Sequence, residues 1–173
     1  MNKKKIIIWS ILVITFGLSL YFFYPDEKLP NNAIADKIVV LKSKRQLVLY
    51  YKDVVLKTYK ISLGGNPTGH KQYEGDNKTP EGIYSISSHG QHNMYHKYLY
   101  VSYPNKNDKY NAAKLGKSAG GQILIHGLNK KYAFIKKIHR WYDWTKGCIA
   151  VTNDEVDEIY NAVKVGTRID IRP

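Results

Sequence analysis

The apolar positions of this chain follow three different patterns, and each predicts a different kind of element. The first is continuous. IIIWSILVITFGLSLYFFY, Ile6 to Tyr24, carries no charged residue and follows the lysines of MNKKK. About 20 apolar residues span a bilayer core, whereas a cleaved signal has an apolar stretch of only about 7–15 residues before an A-x-A-like site, a pattern that does not follow here. Residues 1–24 are therefore expected to form a cytoplasmic lysine cluster and a single-pass anchor in the cytoplasmic membrane. Lys3, Lys4 and Lys5 stay inside by the positive-inside rule, and the rest of the chain faces outward, in the periplasm or cell wall. PDEKLPNNAIAD, residues 25–36, has two prolines, two asparagines and few large apolar residues, and reads as a linker.

The second pattern is that of short strands. KIVVLK (Lys37 to Lys42), QLVLYYK (Gln46 to Lys52) and VVLKTYKISLG (Val54 to Gly64) are separated only by SKR and by Asp53, which predicts hairpins. IYSISS (Ile83 to Ser88), YLYVSY (Tyr98 to Tyr103) and Gln122 to Ile125 continue the series. Residues 66–82, NPTGHKQYEGDNKTPEG, are dense in glycine, proline and polar side chains and too long for a tight turn; long ordered loops of this kind are often functional.

The third pattern is helical. NKNDKYNAAKLG predicts a short surface helix from Asn105 to a stop at Gly116. Thr152 and Glu155 fit a capping box, and Val156, Ile159, Tyr160 and Val163 fall at i, i+3, i+4 and i+7, which predicts a helix closed by Gly166 and followed by a short strand, RIDI. KYAFIKKIHRWYDW fits a helix or a loop equally. The expected fold class is mostly β with a few short helices (α+β), in one domain over residues 37–173. Fifteen tyrosines against two methionines suit a strand-rich core.

Charge narrows the partners. The chain carries +13, and without its three N-terminal lysines the 27 basic residues become 24 against 14 acidic, or +10 for the outward-facing part. Such a domain is drawn to polyanions. Its location removes nucleic acid as a partner and leaves phospholipid headgroups and anionic wall polymers.

Cys148, in WTKGCIAVTN, is the single cysteine. A free cysteine is commonly a small buried hydrophobe. Outside the cytoplasm, however, an unpaired thiol is exposed to oxidation unless protected or used. His126 lies at the end of a predicted strand, where it could serve as the base a thiol needs to be a good nucleophile. Five other histidines compete for that role. His89, His92 and His96 could ligate zinc or simply line a solvated loop. Trp141, Tyr142 and Trp144 could wall a cleft or fill a core. Asp143 could orient His126.

IHG, followed at a distance by T-K-GC-I and a capped helix, resembles the catalytic signature of the L,D-transpeptidase domain, the YkuD type, and GDNKTPEGIYSI (Gly75 to Ile86) is similar to the TP-x-G-x-Y turn those domains carry upstream. The resemblance covers nearly all of residues 37–173. It implies a β-sandwich-like fold, no metal or organic cofactor, and a thiolate that attacks the peptide stem of peptidoglycan. By position it assigns Cys148 as nucleophile, His126 as general base and Gly147 with the Cys148 N–H as oxyanion donors, and it matches Thr145 to the family's Ser/Thr position and Gly127 to the residue beside the base; these two, with Trp144 and Lys146 next to the cysteine, are the expected substrate-binding residues. The family pattern has histidine where this chain has Lys146, and arginine where it has Ala150. A subset related to an enzyme that releases a lipoprotein from peptidoglycan looks like GCIA followed by [VL]TN, as here, so the resemblance accommodates hydrolysis as well as transfer. In an extended TKGC segment Lys146 and Cys148 share a face, which predicts an ammonium beside the thiol. A non-catalytic wall-binding module on the same fold is the rival of another class.

Overall fold

The computed structural model describes residues 2–24, 26–92 and 95–173, without the Phe23 side chain. Helix α1, Lys3–Phe23, is capped by Asn2 and is apolar on every side; it is long and apolar enough to cross a membrane. The segment after it lies against the domain. Leu29 is 7% exposed and joins the core, Asp26 pairs with Lys137, and Lys57 donates to the Glu27 carbonyl.

Eight strands form one sheet in the order β3-β2-β1-β8-β4-β5-β6-β7. Strands β1 (Ala35–Leu41), β2 (Gln46–Tyr51) and β3 (Val54–Lys60) are the expected antiparallel hairpins, with Ile38 opposite Leu49 and Leu47 opposite Tyr59. Strand β4, Gly82–His92, serves two partners: Gly82 to Ser85 pair with β8, and the rest pairs with β5, His96–Val101, after a register shift between Ile86 and Ser88. A bulge of this kind bends a strand and increases its twist, which curls the sheet around the core. Strands β6 (Leu124–His126) and β7 (Ile149–Ala150) close the far edge. Helix α2, Lys106–Lys114, is capped by Asn105 and stops at Leu115 and Gly116, the latter in the left-handed region.

Helix α3, Asn153–Ala162, has the predicted Thr152–Glu155 capping box, and Val156 and Ile159 are fully buried. Its end is not where the periodicity put it. The helix closes at Val163, whose N–H reaches the Ile159 carbonyl, and Gly166 sits inside strand β8, Val163–Arg172. The cause is the run Val163-Lys164-Val165: Val163 is drawn into the core opposite Ala35, and the β-branched pair extends the backbone. The short terminal strand is thus ten residues long and central, parallel to β1 and antiparallel to β4. The ambiguous segment forms a 3₁₀ element, Lys130–Trp141, kinked at Lys136.

Candidate active site

Strands β6 and β7 are parallel neighbours, with Ile125 beside Ile149 and His126 beside Ala150. One step back in this register sets Cys148 beside Leu124. Adjacent strands lie about 4.8 Å apart and residues two apart share a face, so Cys148 and His126 are diagonal neighbours on one face of the sheet edge. The thiol agrees with this placement: Sγ lies 3.4 Å from the Gln122 carbonyl, and the Leu124 N–H is directed at it.

The cysteine loop is held from three sides. Ser62 and Ala150 exchange both backbone hydrogen bonds, and Leu63 and Gly65 bind the Thr145 backbone. The Thr145 hydroxyl donates to the Cys148 carbonyl at 2.8 Å and accepts the Gly147 N–H at 3.1 Å. Gly147 has φ +131°, and a Cβ there would lie 2.6 Å from the Lys78 carbonyl, so only glycine passes at this point.

His126 is 2% exposed. Its Nδ1 lies 2.6 Å from the Gly127 carbonyl, which can only accept, so Nδ1 carries the proton and Nε2 is left as the basic atom. The rings of Tyr95 and Trp144 pack around it at centroid distances of 5.0 and 5.8 Å. Burial brings its pKa down to about 4, although the Gly127 bond acts the other way. Burial also pushes the Cys148 thiol up, opposed by the Leu124 N–H and by the charge of Lys71. At neutral pH the pair is therefore a thiol beside a neutral imidazole, an arrangement suited to general-base removal of the thiol proton during attack.

Residues 35–171 match the family model of the YkuD L,D-transpeptidase catalytic domain. The chain belongs to that family. It is 31% identical over 132 residues to YafK of Escherichia coli (strain K12), a protein named provisionally as an L,D-transpeptidase, covering 73% of this chain and 46% of YafK. With YqjB of Bacillus subtilis (strain 168), provisionally named in the same way, identity is 26% over 136 residues, covering 76% of this chain and 68% of YqjB. The solved structure of Pgp2, the helical cell shape determining protein of Campylobacter jejuni, superposes with a TM-score of 0.61 at 24% identity, covering 82% of this chain and 48% of Pgp2, a likeness of fold. The chain thus spans about half the length of YafK and of the Pgp2 structure.

On this L,D-transpeptidase domain several expected roles fall differently. The Gly147 N–H, expected as an oxyanion donor, is given to the Thr145 hydroxyl, whereas the Cys148 N–H has no protein acceptor among the described residues. Lys146 is exposed, and the cation whose charge opposes the effect of burial on the thiol is Lys71. Asp143 does not orient His126. It accepts from Nε and Nη2 of Arg45 and from the Leu63 N–H, and His126 is oriented by the Gly127 carbonyl instead. Gly127 itself passes under α3, where a Cβ would lie 2.5 Å from Asn153 Oδ1. Trp141 and Tyr142 are exposed, and Trp144 stands edge-on to both His126 and His139. His89 packs on Tyr160 and His96 reaches Asp157; among the described residues no three His, Cys, Asp or Glu side chains converge.

Two features escaped the sequence reading. Lys71 and Asp76 form an ion pair at 2.7 Å with each side chain 3% exposed, and Asp76 also accepts the N–H groups of Gln72, Tyr73 and Lys78. Burial alone would raise the Asp76 pKa, but these four donors outweigh it and hold the carboxyl below its ordinary range. The pair shapes the loop whose Lys78 carbonyl abuts Gly147. The second is His139, buried, with Nδ1 3.2 Å from the Ser62 hydroxyl, Nε2 unpartnered, and a pKa brought down to about 3 by burial and by the nearby charges of Arg140 and His126. The only sequence signal for the first was a long loop with charges of both signs; for the second there was none.

Proposed function

We propose that this domain, held outside the cytoplasmic membrane by α1, acts on peptidoglycan stem peptides as an L,D-transpeptidase through a thioester on Cys148. The observation that carries the reading is the tautomer of His126: with Nδ1–H committed to Gly127, the free Nε2 is the atom available to a thiol on the neighbouring strand. In the first half-reaction the Cys148 proton passes to Nε2 as sulfur bonds to the stem carbonyl carbon, and the oxyanion takes the Cys148 N–H. Collapse breaks the C–N bond, and the leaving amine departs with the proton from His126. In the second half, the amine of an acceptor stem attacks the thioester, gives a proton to His126, and restores the thiol. Trp144 and Lys146, exposed beside Cys148, meet the stem, while the buried Thr145 and Gly127 hold the cysteine loop and the base in place.

A second reading, hydrolysis of a stem or of a protein-to-peptidoglycan linkage, is favoured by one position. Ala150 is fully buried between Ser62 and His126, where the family pattern has arginine, so no guanidinium from that position grips a stem carboxylate in bidentate fashion. Water then takes the place of the acceptor amine. Mass spectrometry of muropeptides treated with the full chain distinguishes the two: dimers or exchanged terminal residues mark transfer, and trimmed stems or a released protein anchor mark hydrolysis. Products that are unchanged when Cys148 is replaced by alanine overturn both.

A further inference from the structure

The kinked 3₁₀ element is buried at some positions and open at others. His139 and Arg140 face the domain, where Arg140 pairs with Glu155 at the start of α3. Tyr132, Phe134 and Trp141 in the element and Tyr142 just after it are exposed, with Phe134 74% and Trp141 62% accessible, as are Lys131 and Lys136. Exposed large aromatic side chains concentrated in one short segment have the composition of an interaction site. Tyr and Trp interleaved with lysine form the composition that settles at the level of lipid headgroups.

The attachment of the chain supplies the occupant. Lys137, in the middle of this element, donates to the Tyr24 carbonyl and pairs with Asp26, both at 2.8 Å. Only two residues separate the end of α1 at Phe23 from Asp26, a reach of at most about 10 Å. Glu27 and Leu29, just beyond, are fixed to the domain by Lys57 and by burial in the core. A span that ends so close to a fixed point leaves the domain no free tether, and sets the residues beside Lys137 at the bilayer surface. The +10 charge of the outward-facing part complements anionic headgroups.

We propose that the exposed aromatic and lysine side chains of Lys130 to Tyr142 form a membrane-docking surface that lays the catalytic domain on an anionic leaflet. This rests on the reading of α1 as a membrane anchor. The domain then works on wall material next to the membrane, not at the distance a flexible linker would allow.

The test uses the full chain reconstituted in vesicles of phosphatidylglycerol and phosphatidylcholine that contain lipids brominated near the headgroup end of the acyl chain. Quenching of Trp9 in the native chain, against a Trp9→Phe variant, reports insertion of α1; if Trp9 is unquenched, the anchor reading fails, and the docking proposal with it. In the Trp9→Phe variant, Trp141 and Trp144 report docking alone, with Trp141→Phe separating the two. The expected result is quenching of Trp141 that weakens as phosphatidylglycerol is replaced or salt is raised. Lys131→Gln and Lys136→Gln should each lower the docking equilibrium constant about fivefold, as expected for the loss of one lysine near an anionic surface. Phe134→Ser should lower it independently of salt. The proposal is overturned if Trp141 is unquenched while Trp9 is quenched, if the signal ignores all three substitutions, or if wall fragments and not lipid protect Trp141.

Discussion

Replacing Lys71 by methionine tests whether the buried ion pair behind the cysteine loop has chemical as well as structural consequences. Methionine keeps much of the side-chain volume and removes the charge. Deleting one partner of a buried pair costs about 3–5 kcal/mol, because the other charge is left uncompensated. Asp76 retains three backbone N–H donors at 2.7–3.2 Å, which places the expected loss near ~3 kcal/mol, a large share of the stability of a small domain. Urea unfolding of the full chain in detergent measures it, and adding Asp76→Asn to the Lys71→Met variant should recover part of the loss. The second consequence concerns the thiol. Lys71 lowers the Cys148 pKa against burial, so the methionine variant should show the pH midpoint of Cys148 alkylation by iodoacetamide displaced upward, with the high-pH plateau unchanged. Lys71→Arg should hold the midpoint where it is in the native chain. A midpoint that does not move in a folded Lys71→Met variant refutes the electrostatic role and leaves the pair purely structural.

Gly147→Ala forces a side chain at φ +131° against the Lys78 carbonyl; we expect a loss of at least ~2 kcal/mol by urea unfolding and, from displacement of the thiol, about a 10²-fold fall in turnover. Near-native activity would mean that the loop is softer than its contacts indicate. Thr145→Val leaves the buried Gly147 N–H without its acceptor and should cost about 2 kcal/mol, whereas Thr145→Ser should be nearly neutral. His126 and His139 have folded pKa values of about 4 and about 3 against ~6.5 in the unfolded chain, so the unfolded state takes up protons first. Their stabilisation is complete above pH ~6.5 and is lost on acidification towards the folded values, at ~1.4 kcal/mol per pH unit for each histidine. Unfolding curves at pH 7.5, 6 and 5 check this, and a flat profile contradicts the burial of both rings.

What could be read from the sequence was what is decided locally. The hairpins of β1 to β3 and the Thr152–Glu155 capping box depend on residues a few positions apart, and alternation, turn residues and side-chain-to-backbone pairing reveal them. The central place of β8 depends on parallel pairing with a strand more than 120 positions earlier, which no local pattern encodes; the same pairing carries Val163 into the core and leaves Gly166 in a strand. At the site, residue types were legible but their partners were not. Cys148 and His126 could be named from motif order. That Thr145 occupies the Gly147 N–H, that Asp143 serves Arg45, and that Lys71 and Asp76 are buried together follow from loops meeting in space. A buried lysine and a solvated one look alike in sequence, since burial of a charge is decided by the partner it finds.

The central claim is that Cys148 forms a covalent acyl-enzyme with a peptidoglycan stem. Intact-protein mass spectrometry of the full chain, quenched in acid during incubation with muropeptides, tests it directly. The account predicts an adduct equal in mass to the donor stem less its leaving amine, localised to Cys148 by peptide mapping, accumulating when acceptor is withheld and absent from Cys148→Ala; His126→Ala should slow its formation without unfolding the domain. A native chain that binds muropeptides yet never carries such an adduct, with a thiol that reacts only after denaturation, would contradict the account and identify a wall-binding module on an L,D-transpeptidase fold.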